Sequence, residues 1–122
     1  MARVKKVILV LACLVLPSCG GGVDFTCESR IVVLRVHDTT CGQALVSWTI
    51  WQTTWEDRES GIRNLPWGMS QELCTADIDL TTKRQCEDTG TVTVEIWVDG
   101  ILKRREQGQG PGATAHLELW LD

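Results

Sequence analysis

The stretch Thr91–Gln107, "TVTVEIWVDGILKRREQ", decides the class of this chain. Val92, Val94, Ile96 and Val98 fall on one parity, with Thr91, Thr93, Glu95 and Trp97 on the other. A period of two is the signature of a strand with one buried face. Asp99-Gly100 interrupts it, and Asp-Gly favours the type I′ turn, whose two central residues both need positive φ. The spacing therefore predicts a hairpin, Thr91–Val98 to Ile101–Gln107.

Working outward, the same grammar recurs. After the hairpin, "GQGPG" reads as a loop, and "ATAHLELWL" as a last strand with Ala113, Ala115, Leu117, Leu119 and Leu121 inward. Before it, "SRIVVLRV" (Ser29–Val36) and "ALVSWTIW" (Ala44–Trp51) read as two strands, the second with Ala44, Val46, Trp48 and Ile50 on one face. "GIRNLPW" (Gly61–Trp67) is a short third run that Pro66 confines to an edge or a corner. "MSQELC" and "ADIDLTT" are two weaker strand candidates. No segment sustains a 3.6-residue period. About seven short strands separated by turns predict an all-β domain, an immunoglobulin-like two-sheet antiparallel sandwich.

The N-terminus is of another kind. Arg3, Lys5 and Lys6 precede ten consecutive apolar residues, Val7 to Leu16. That run matches a secretory signal and is short for a membrane span. Leu16-Pro17-Ser18-Cys19 resembles the lipobox of bacterial lipoproteins. The resemblance implies cleavage before Cys19 and a diacylglycerol thioether on its sulfur, with a further acyl chain such as palmitate. The organisation expected is a signal peptide over 1–18, a lipidated cysteine with a glycine tether over 19–26, and the sandwich over 27–122. Loss of Arg3, Lys5 and Lys6 with the leader takes the net charge from −4 to −7. Such an acidic surface argues against a nucleic-acid partner. The expected address is the bacterial cell envelope, with the membrane reached through the lipid anchor.

Cys27, Cys41, Cys74 and Cys86 remain for the domain. Their intervals of fourteen, thirty-three and twelve match no zinc-finger spacing, and an exported domain favours two disulfides. An extended strand of about 26 Å between Cys27 and Cys41 excludes that pair, because bonded cysteines keep Cα atoms within about 7 Å. An up-and-down course pairs Cys27 with Cys74 and Cys41 with Cys86. If "MSQELC" and "ADIDLTT" form one continuous strand, the pairs become Cys27–Cys86 and Cys41–Cys74.

From "SGIRNLPW" through "GTVTVEIWVDGILK" to "GPGATA", the chain resembles the periplasmic domain of the mycobacterial small membrane proteins (MmpS). The resemblance implies a β-sandwich accessory of an envelope transporter. That family carries a transmembrane anchor and places its cysteines elsewhere.

Chemistry is sparse. His37 and His116 are the two imidazoles, and neither accompanies a nucleophile motif. "WEDRES", "CEDTG" and the Asp77/Asp79 pair of "ADIDL" lack calcium-loop spacing and read as solvated turns or strand faces. No catalytic residue, metal or cofactor is expected, and the chain is expected not to be an enzyme. The six tryptophans are the unusual feature, beside one phenylalanine and no tyrosine. Trp48 shares parity with the core, whereas Trp51, Trp55, Trp97 and Trp120 point away from it. Two readings follow: a binding or accessory module with an envelope protein partner, or a carbohydrate- or lipid-binding domain that uses these four tryptophans.

Overall fold

The computed structural model describes residues 27–52 and 55–122. Its strands are β1 (Arg30–Asp38), β2 (Gln43–Trp51), β3 (Glu56–Asn64), β4 (Trp67–Leu73), β5 (Ala76–Arg84), β6 (Thr91–Val98), β7 (Ile101–Gln109) and β8 (Thr114–Leu121). They form two antiparallel sheets, sheet A in the order β4-β1-β6-β7 and sheet B in the order β3-β2-β5-β8. This is the two-sheet sandwich expected, with eight strands where about seven were foreseen.

The connectivity is two folded hairpins. β1–β4 doubles back so that β1 pairs with β4 in sheet A and β2 with β3 in sheet B. β5–β8 does the same, with β6 on β7 and β5 on β8. The halves join through β1–β6 and β2–β5, the two central pairs. The β1–β2, β3–β4, β5–β6 and β7–β8 corners lie at one end, here called the corner end. The hairpin turns β2–β3 and β6–β7 lie at the opposite end, with the start of β1 and the finish of β8.

Alternation explains the core. Val32, Leu34 and Val36 of β1 meet Val92, Val94, Ile96 and Val98 of β6, across from Val46, Trp48 and Ile50, Ile78 and Leu80, and Leu117 and Leu119; all are buried. Each such side chain contributes roughly 1.5–3 kcal/mol of burial free energy. The Asp99-Gly100 turn forms as the dipeptide requires, with φ of 50° and 79°. A register shift between Ile96 and Trp97 sets Lys103 as an extra residue in β7.

The third strand needs correcting. "WEDRES" is not a turn: Glu56–Ser60 belong to β3, which runs to Asn64, and Trp67 opens β4 instead of closing a third run. β3 is an edge strand with most residues exposed, so it has no apolar face to alternate. Charges on such an edge keep it from pairing with other chains. Pro66 marks a corner, as expected, after a cis Leu65–Pro66 bond. Ala113 is half-buried and precedes β8, which starts at Thr114.

Disulfides close both ends. Cys27 bonds Cys74 and Cys41 bonds Cys86, with Cα separations of 5.5 and 5.8 Å. The up-and-down pairing holds because Cys74 and Thr75 break "MSQELC" from "ADIDLTT" and reverse the chain.

Candidate functional site

Of the residues singled out in the sequence, Cys19 lies outside the described residues. The four tryptophans divide between two surfaces. Trp51 on β2 stands across from Asp77 on β5, which stands across from Trp120 on β8, so both indoles share the outer face of sheet B with one carboxylate between them. Trp120 is 66% exposed and Trp51 39%. Trp55 sits nearby, just before β3, with its carbonyl accepting the Gln52 amide at 2.8 Å. Trp97 is on sheet A. There it is half-buried, donates its Nε1–H to Glu95 Oε1 at 3.1 Å, and lies under the Arg35 guanidinium, 5.4 Å from the ring centroid. Trp48 is a core residue, as its parity requires.

Farther along sheet B, His116 Nε2 lies 3.0 Å from Asp79 Oδ1 and 3.7 Å from Glu118 Oε1. These three side chains are exposed or half-exposed and their donor atoms fall within 4.8 Å of one another. Thr81 Oγ1 donates to Asp79, not to the imidazole. No hydroxyl is therefore set against a base here, and a nucleophile needs that contact.

The outer face of sheet A carries a depression of about 420 Å³ near the corner end. Pairing places Arg35 of β1 between Gly68 of β4 and Glu95 of β6. Gly68 leaves that floor open, and Pro66, Trp67 and His37 complete the rim. Glu95 is engaged on several sides: by the Trp97 indole, by His37 Nε2 at 3.8 Å and by Arg105 Nε at 3.8 Å. Arg35 is different. Its guanidinium lies over the Trp97 ring, 5.4 Å from the centroid, and the ion pairs among the described residues include none to it. A cation–π contact of this kind favours the guanidinium over the ring while leaving its N–H groups available.

Sequence reasoning missed Arg84. It continues the inward parity of Ala76, Ile78, Leu80 and Thr82, and its side chain is fully buried at the corner end. Nε donates to Asp38 Oδ2 at 2.6 Å, and Nη2 to Asp38 Oδ1 at 3.1 Å. Nη1 donates to the carbonyls of Asp88 and Gly110, both at 2.9 Å. Nη2 also reaches Thr40 Oγ1 and the Asp88 carboxylate. One cation thus ties together the β1–β2, β5–β6 and β7–β8 corners. Burial pushes the Asp38 carboxyl up, but the Arg84 guanidinium and the amides of Thr40 and Cys41 together hold it below the ordinary range. Hydrogen bonding to Asp38 and Asp88 raises Arg84 further, so it stays charged. The "CEDTG" segment is a loop, as expected, but Asp88 is drawn onto Arg84 and is not a free ligand.

Fold and surfaces together define a class: a disulfide-closed β-sandwich with a mainly apolar depression on one sheet, into which Arg35, His37 and Glu95 bring charge or polarity, and a tryptophan pair on the other. No protein-family model matches the chain, and no curated protein matches it.

Proposed function

We propose that this chain is a non-catalytic, lipid-anchored binding module of a bacterial cell envelope, and that the depression on sheet A takes an anionic group of its partner. The observation that carries the reading is Arg35: a guanidinium positioned by Trp97, without a carboxylate partner among the described residues, in a depression of about 420 Å³. Pockets that orient a ligand are usually of this size, on the order of 300–1,000 Å³, with few polar groups. A carboxylate matches the guanidinium fork with two parallel hydrogen bonds. Glu95 does not repel it strongly, because the Arg105 guanidinium already faces that carboxylate at 3.8 Å.

The anchor rests on Leu16-Pro17-Ser18-Cys19, and the envelope address on the same residues together with the two disulfides. The likeness to the MmpS family supplies the kind of partner, a component of an envelope transporter.

The test is a titration with sodium acetate at constant chloride, followed by nuclear magnetic resonance. The Arg35 Nε–H and Gly68 amide signals should move saturably, and R35Q should abolish the effect while R58Q, on β3 of the other sheet, retains it. Linear shifts, or saturation that survives in R35Q, would remove the depression from the reading.

A further inference from the structure

Large apolar side chains are exposed in an uneven way. Among the described residues they are Ile31, Trp51, Trp55, Ile62, Ile101, Leu102 and Trp120. All except Ile62 lie at the end opposite the corners. Asp99 joins two of the strands there, since its N–H donates to the Ile31 carbonyl and its Oδ1 accepts the Ile31 N–H, both at 2.9 Å. Ile101 and Leu102 follow that turn directly. Trp51 closes β2, Trp120 lies one residue from the finish of β8, and Arg30 Nη2 bonds the Asp122 carbonyl at 2.7 Å. Ile62 sits elsewhere, facing Leu45 on edge strand β3.

The chain enters the domain at this same end. Cys27, held to Cys74, precedes β1 there. Eight steps of chain separate it from Cys19, a reach of at most about 30 Å. From these two facts we infer that the hairpin end rests on the bilayer, with Trp51, Trp55 and Trp120 at the headgroup level and Ile31, Ile101 and Leu102 beside them. Indoles favour that interface because their rings are apolar and their N–H groups stay hydrated. The attraction is not electrostatic, because charge at this end is near balance. Glu28, Glu56, Asp99 and Asp122 are exposed there against Arg58, Lys103 and Arg104, with Arg58 paired to Glu56 and Arg30 engaged by the Asp122 carbonyl. The surface therefore suits zwitterionic lipid. Docking would turn the corner end outward and place the Arg35 depression on a lateral face, toward the corner end and open to a partner.

The inference rests on the lipid-anchored reading, so the experiment has two independent arms. Palmitate labelling of the wild type and of C19S reports the anchor alone. Docking is read from full-length protein on phosphatidylcholine vesicles whose acyl chains carry bromine, a short-range quencher of indole emission. Quenching should be clear, and should fall by about half or more in the W51S/W120S variant, since those two rings leave the interface. Exchange of half the lipid for phosphatidylglycerol should not increase it. W120S alone, at a position 66% exposed, guards against misfolding and should show a partial loss with an unchanged thermal midpoint. Absence of bromine quenching, equal quenching in the tryptophan variants, or a requirement for anionic lipid overturns the docking, whatever the labelling reports.

Discussion

Asp99 and Gly100 hold φ values of 50° and 79°, a region that β-branched residues resist. The space around Gly100 is open, with nothing within 4 Å of where a Cβ would stand, so its cost on substitution is purely conformational. Gly100→Val is expected to destabilise the domain by about 1–3 kcal/mol, measured by urea unfolding. A change within about half a kcal/mol would mean that the turn is not of this type. Gly90 shows the opposite cause. Its φ is ordinary, but an added Cβ would lie 2.1 Å from Thr40 Oγ1 and 2.6 Å from Arg84 Nη2. Gly90→Ala is expected to cost about 1–3 kcal/mol through overpacking of the Arg84 cluster. An unchanged urea midpoint would show that the cluster yields freely. In the sequence the two glycines look alike, each beside a strand.

At the scale of elements, four corners converge on one end, and hydrogen bonds between them carry the junctions. Thr39 N–H donates to Thr91 O at 3.0 Å, Leu65 N–H to Gly42 O at 2.9 Å and Gly110 N–H to Gly90 O at 3.0 Å. Arg84 completes them from within. Asp38 has its carboxyl held below the ordinary range, so its contribution is present above about pH 4 and fades as pH falls through the folded value. Asp38→Asn should therefore lower the urea midpoint clearly at pH 7, and the gap to wild type should narrow on acidification. A gap that stays constant down to pH of about 2 would exclude this linkage. The disulfides act on the unfolded chain. With sequence separations of 47 and 45, each restricts a long loop, and replacement of either pair by serine is expected to cost about 4 kcal/mol on the chain-entropy account. Denaturant midpoints of C27S/C74S and C41S/C86S check this. If the second variant loses much more, the Arg84 corners depend on Cys41–Cys86 for their geometry as well.

For the whole molecule, Cys19→Ser is expected to abolish palmitate incorporation and release the protein from the membrane fraction, which radiolabelling and fractionation would check. Unchanged labelling would refute the lipobox. What the sequence determined by itself is everything that depends on neighbours along the chain. Alternation in Thr91–Val98 and Ala44–Trp51 made the strands and their buried faces legible, because period two maps directly onto the two sides of a sheet. Asp99-Gly100 made one turn legible through the φ it permits. Counting strand reversals made the cysteine pairing legible once the break at Cys74 and Thr75 was known. The tertiary structure alone decided the rest. Edge strand β3 was hidden because a strand exposed on both faces has no hydrophobic pattern. Arg84 was hidden because its partners, Asp38, Asp88 and Gly110, are brought to it only by the corners. The same holds for the surfaces: Trp51, Asp77 and Trp120 become one row, and Trp97 parts from them, through pairing between strands far apart in the chain. A chain records which face a residue takes on its own strand, but which strands lie side by side is decided by packing of the whole.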